Sequence, residues 1–196
     1  MSANIAQFTN PRNLPEPDIY EAVYNFVLTY GLPVLAPENI FRGWQNRGAL
    51  PAGTNEYAVI SILNQTRVGT NVRTYVPTGD TGNQSEKTCL RCQVQVDFCS
   101  DAYLSRRRAQ ALETITRSAA GVQFFNNYGL SSLYAEGIRD LSYVDESDQF
   151  VQRHMVLLHL SYWSGIEVEI EGFDTLQMER IENVDVHHPP IKRPKK

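Results

Sequence analysis

Three cysteines, Cys89, Cys92 and Cys99, stand close together near the middle of the chain, and Cys89-x-x-Cys92 has the spacing of half a zinc site. Two thiolates so spaced reach one metal only if the backbone folds into a knuckle between them. Here the residues alternate instead. Leu90, Cys92, Val94, Val96 and Phe98 are apolar, and Arg91, Gln93, Gln95 and Asp97 fill the positions between. That is the period of a half-buried strand, on which residues three apart point to opposite faces. Neither Gly nor Pro breaks the stretch, and no second CxxC or spaced His pair completes a ligand set. Cys92 therefore reads as a small core residue, and no metal or other cofactor is expected. His154 and His159, five apart on a second apolar stretch, also face opposite sides and cannot form a ligand pair. Each is expected to be buried with one hydrogen bond or exposed at a subunit contact. His187-His188 lies in a Pro-rich tail and implies no site.

Other catalytic signatures are missing. There is no GxSxG, and Ser147-Asp148 followed by His154 lacks the turns that would assemble a triad. There is no GxxxxGK[ST], and Gly79-Asp80-Thr81-Gly82 opens no helix, so no phosphate cradle is formed. The chain is expected not to be an enzyme. Two charged features remain. Glu167, Glu169 and Glu171 alternate with Ile166, Val168 and Ile170, giving a strand with one acidic face that is either solvated or turned to a partner. Arg106-Arg107-Arg108 lies in a helical pattern, where three consecutive residues point in different directions and cannot share one anion. Arg106 and Arg107 are placed outward and Arg108 near the edge of the apolar stripe. The pair either forms a solvated helix face or bridges to an acidic surface on a neighbouring subunit, for which Glu167, Glu169 and Glu171 are candidates.

The elements that must position these residues follow from periodicity. The Leu90–Phe98 alternation gives way after Ser100 and Asp101, both able to cap a helix, to a stripe of Leu104, Ala111, Leu112, Ile115 and Ala119. An earlier helix opens at Pro17-Asp18, carries Ile19, Val23, Phe26, Val27 and Tyr30 on one side, and stops at Gly31 and Pro33. Pro37 to Gly53 reads as an irregular connection. Tyr57 to Leu63 is apolar at nearly every residue, a strand covered on both faces; Asn64 to Gly69 reads as a turn and Asn71 to Val76 as a second strand. Pro77 to Lys87 holds no apolar residue larger than proline and reads as a protruding loop, with Thr78, Asp80, Asn83, Glu86 and Lys87 as its candidate contact residues. Val122 to Tyr128 adds helical turns ended by Gly129. Ile138 to Val144 is a short strand, Asp145–Asp148 an acidic turn, and Phe150 to Trp163 a second central strand closed by Ser164-Gly165. The expected fold is α+β, a mostly antiparallel sheet packed by two main helices. An N-terminal arm over 1–17, a domain over 18–171 and a basic C-terminal arm or disordered tail over 172–196 divide the chain.

Composition agrees. The 196 residues are 42% hydrophobic and 20% charged, with a net charge of −4, which gives no global attraction to nucleic acid or anionic membrane. No apolar run reaches the roughly 20 residues of a membrane helix. The start lacks the pattern of a secretory signal, so a reducing cytosol is expected, and three cysteines imply no disulfide framework.

The order helix, two strands, long loop, strand, helix, two strands resembles that of tail-terminator or neck proteins of tailed bacteriophages. The wording of DIYEAVYNFV (Asp18 to Val27), ISILNQTRVGTNV (Ile60 to Val72), LRCQVQVDFCSDAYLSRRRAQAL (Leu90 to Leu112) and YVDESDQFVQRHMVLLHLSY (Tyr143 to Tyr162) carries the resemblance, over roughly residues 18 to 165. It implies a subunit of a homo-oligomeric ring, usually six copies, on the head-proximal end of the tail tube. Such a ring ends tube growth and receives the head-tail connector or neck proteins, with a sheath attached in contractile tails, while DNA passes through its lumen without being read. The virion neck is the implied location, after assembly in the host cytoplasm. Other head-tail connector, head-completion and minor tail proteins stay open as alternatives, as does an enzyme or ligand-binding domain with a site assembled from scattered residues.

Overall fold

A computed structural model describes residues 9–44, 56–78, 81–100, 102–144 and 150–171. Two strands dominate it. β5 (Thr81–Ser100) and β9 (Phe150–Glu171) pair antiparallel without a register break from Thr81↔Glu171 to Ser100↔Gln152. At ~3.4 Å per residue this ladder is roughly 65 Å long. Along the other edge of β5 run β3 (Tyr57–Arg67) and then β4 (Val72–Pro77), which pair with Leu90–Cys99 and Gly82–Lys87 respectively. They are successive pieces of one antiparallel strand offset at residues 68–71. β2 (Ile40–Arg42) adds to β3 in parallel. Along the other edge of β9 lie β8 (Tyr143–Val144), β7 (Arg139–Asp140), β6 (Ser131–Ala135) and β1 (Thr9–Asn13), each antiparallel to it. The fold is α+β with a mostly antiparallel open sheet, as expected.

One face of the sheet's lower half is covered by helices. α1 (Ile19–Tyr30) begins where Asp18 accepts the Glu21 N–H at 2.9 Å and ends where the Gly31 N–H reaches the Val27 carbonyl at 2.8 Å. α2 (Ala102–Thr116) follows β5, and α3 (Ala119–Asn126) is capped by Ser118 and ended near Gly129, whose φ of 71° suits a residue without Cβ. The core joins Ala22, Val23, Phe26 and Val27 of α1 and Phe125 of α3 to Val94, Val96 and Phe98 of β5 and Val156, Leu158 and Leu160 of β9. These strand residues are the alternate positions of the sequence pattern, on the face that the helices cover.

Four expectations change. In α2 the buried residues are Ser105, Arg108, Ala109, Leu112 and Thr116, while Leu104 and Ala111 are half-buried and Ala119 is exposed. Small side chains let this helix lie close to the sheet, and Arg108 is buried because it has partners. The stretch Pro77 to Lys87 is not a loop: Asn83, Glu86 and Lys87 belong to β5, Thr78 sits in the hairpin connection, and Asp80 lies outside the described residues. Polar side chains fit a strand here because both ribbon faces meet water at this level while the backbone is paired on both sides. For the same reason Ser164-Gly165 makes no turn; a Cβ on Gly165 would meet the Glu86 carbonyl at 2.3 Å, so glycine permits the close approach of β5. Asn64 to Gly69 is mostly strand, with the break placed later. The acidic turn 145–148, much of the connection 37–53 and the segment 172–196 fall outside the described residues, whereas 9–13 of the N-terminal arm forms β1.

Cys89 is half-buried and Cys92 and Cys99 are buried. Burial pushes the Cys92 thiol up to about 11. Because thiolate is the reactive form, iodoacetamide at pH 8 is expected to modify native protein at Cys89 first, with Cys92 reacting only after denaturation. Peptide mass mapping at successive times checks this, and early labelling of Cys92 would contradict its placement.

Candidate assembly surfaces

The outer side of α2 carries Arg106 and Arg107, both exposed as expected. Arg106 borders a hollow of about 330 Å³ with Gln110, Glu113, Ile138, Asp140 and His154. The carboxyl of Asp140 is held below the usual carboxylate range, first by the Ser142 hydroxyl and backbone N–H and in smaller measure by Arg106. Arg106 thus has an acidic neighbour in its own chain. Arg107 lies 6.0 Å from the centre of the Tyr103 ring and borders an apolar hollow with Tyr30, Leu32, Ala111 and Ile115. The structure separates Arg108 from the other two. Its side chain is 3% exposed, its Nη2 lies 2.8 Å from Glu56 Oε2, and its Nε donates to the Pro33 carbonyl at 2.8 Å.

The acidic strand proves to be the end of β9. Glu167 accepts from Arg12 of β1 at 2.8 Å, so part of the acidic face is met by the chain's own N-terminal strand. Glu169 also has a partner, and Glu171 is the last residue of β9. The structure does not bring Arg106 or Arg107 to the Glu167 or Glu169 carboxylates within one chain.

Both histidines are buried with a hydrogen bond, one of the two outcomes expected. His154 Nδ1 lies 2.9 Å from Ser105 Oγ on the helix side of the sheet. His159 Nε2 lies 3.0 Å from Glu136 Oε1, and its ring stacks on Tyr134 at 4.1 Å. Neither stands beside the other, and among the described residues no group of three His, Cys, Asp or Glu could hold a metal ion.

A third surface was not foreseen. On the sheet face away from the helices, Tyr57, Val59, Leu63, Trp44 and Tyr143 line a hollow of about 500 Å³ whose floor holds Asp97 and Arg153. Arg153 Nε donates to Asp97 Oδ1 at 3.0 Å, and Gln95 donates to the other carboxylate oxygen at 2.6 Å. The Tyr57 phenol is pushed far up by burial and by hydrogen bonds with Tyr143 and Cys99. The available signal was Asp97 and Gln95 at the inward polar positions of β5. The ion-pair partner of Asp97, Arg153, comes from β9, more than fifty residues away, so spacing alone could not find it.

Charged groups thus border apolar hollows on both sides of the sheet, and among the described residues the outer edges of β4 and β1 pair with no further strand. The family model described as phage neck terminator protein matches residues 17–188, and the chain belongs to that family. It is a structural component of the phage neck, hence of the virion. No curated protein sequence matches the chain. No helix among the described residues is long and apolar enough to cross a membrane.

Proposed function

We propose that the chain forms a homo-oligomeric ring, a hexamer, at the head-proximal end of the tail. There it ends growth of the tail tube and offers the surface on which head-tail connector and neck proteins dock, with the sheath joining in a contractile tail. DNA passes through the lumen without sequence readout. Membership of the neck terminator family carries this reading. The unlike surfaces on one subunit support it, because a head-to-tail contact closes a ring only when two different patches meet. The hairpin tip around Thr78 supplies a projecting element for a docking partner.

In this ring Arg106 and Arg107 of one subunit meet the acidic end of β9, at Glu167, Glu169 and Glu171, on its neighbour. Mass photometry of the purified chain should show one species at a multiple of 22.2 kDa, and adding it to polymerising tail tube should fix tube length. A monomer at all concentrations, or tubes of unaltered length, would contradict the reading. Arg106→Glu combined with Arg107→Glu is expected to shift most of the population to monomer; an intact ring would remove the arginines from the contact.

A further inference from the structure

Beyond the helix-covered body, the sheet continues as a four-stranded ribbon in the order β4, β5, β9, β1. Its two outer strands lie at the same height. Through β5, Val72 is level with Gly165 and Pro77 with Ile170, while β1 spans Ile166 to Glu169. Six residues of edge on one side thus stand opposite five on the other. Every residue of β4 is exposed, and among the described residues nothing pairs with the outer edge of either strand. Such edges present unpaired N–H and C=O groups and template further pairing.

Strand direction decides what fits. β4 is antiparallel to β5, β5 to β9 and β9 to β1. Directions therefore alternate across the ribbon, and β1 runs opposite to β4. A second copy placed alongside in the same orientation brings its β4 antiparallel to the first copy's β1, so alternation continues across the junction. A strand of another protein would have to match direction, length and height anew; a second copy matches them by construction.

We infer that the β1 edge of one copy pairs with the β4 edge of the next, so that the ribbons of the ring close into a continuous antiparallel β-barrel. This rests on the ring reading but not on the arginine contact: α2 packs level with His154, about 40 Å along the ladder from Glu167, so between level copies the edge pairing and an Arg106–Glu167 contact are alternatives. The β1 edge is a poor template alone, since Pro11 lacks an N–H and the β1–β9 register shifts between Thr9 and Arg12. A single junction is therefore weak, and closure, which leaves no free edge, favours rings over open chains.

Cysteine cross-linking tests the pairing. Directly opposed residues of antiparallel strands have Cα atoms about 4.5–5.5 Å apart, within disulfide reach. Arg12→Cys is combined in turn with Val72→Cys, Thr74→Cys and Val76→Cys, the β4 positions on the Arg12 face, and treated with diamide. At least one combination should give a ladder of covalent oligomers ending at the ring number on a non-reducing gel. Arg12→Cys with Tyr75→Cys, on opposite faces, and the parent chain with its native cysteines should give none. If mass photometry shows the ring but no combination exceeds the Tyr75 control, the edge pairing is wrong and the ring reading stands. A monomeric parent chain overturns both.

Discussion

Phe26→Ala is expected to lower unfolding stability by about 4 kcal/mol, the range for removing a buried aromatic ring from a close-packed core. Phe26 is fully buried on the inner side of α1, and its ring centre lies 4.5 Å from that of Phe125, 5.2 Å from Phe124 and 5.1 Å from Tyr30. With the Tyr30–Phe124 ring contact, it joins α1 to α3 over the sheet. Aromatic neighbours are stiff and cannot slump into the space left behind, so a cavity term adds to the lost burial. Urea unfolding should show a lower midpoint with unchanged slope, and the melting temperature should fall by roughly 10 °C for a chain of this size. Val122→Ala, on the exposed side of α3, serves as the control and should stay within about 0.5 kcal/mol. A loss below about 1 kcal/mol for Phe26→Ala would mean that α1 is not seated as described.

What the sequence made legible was whatever is amphipathic and local. Asp18, the stripe through Phe26 and the stop at Gly31 specify α1 without help from the rest of the chain. The alternation from Leu90 to Phe98 specifies the covered half of β5, because one face meets helices and the other does not. The same strand becomes unreadable from Thr81 to Lys87. There both faces are wet, and the backbone is held by β4 and β9, partners that composition does not reveal. β9 reads correctly to Trp163 and then reads as broken at Ser164-Gly165, where glycine marks a close approach to β5. In each case the missing information is pairing between distant segments, and a polar, doubly paired strand looks like a loop.

The candidate surfaces divide along the same line. The outward placement of Arg106 and Arg107 was legible because it needs only the helical period. The engagement of Glu167 by Arg12 was not, since it depends on β1 docking across more than 150 residues. The hollow over Asp97 and Arg153 required knowledge of which strand lies beside β5. The phase error in α2 has a different cause. The periodicity put Arg108 only near the edge of the apolar stripe, whereas it is fully inward with a carboxylate and a carbonyl to receive it.

That buried arginine gives the second large effect, and its sign depends on which partner is removed. Glu56→Ala should cost about 3 kcal/mol, near the lower end for breaking a buried ion pair, because among the described residues the guanidinium left behind keeps only the Pro33 carbonyl. Among the described residues Nη1 of Arg108 has no hydrogen-bond partner, so little reserve exists there to absorb the loss. Arg108→Met should be milder: it fills much of the same volume with apolar atoms, and the Glu56 side chain, 42% exposed, returns to water. Inverting the usual expectation, the more exposed residue is the more damaging one to delete. The double variant separates this from a packing effect. If the cost of Glu56→Ala comes from a stranded charge, Arg108→Met in the same chain should restore most of it, giving a double variant more stable than Glu56→Ala alone. Additive losses in urea unfolding would instead show that Glu56 acts through contacts other than the ion pair, and that the guanidinium tolerates burial on the Pro33 carbonyl alone.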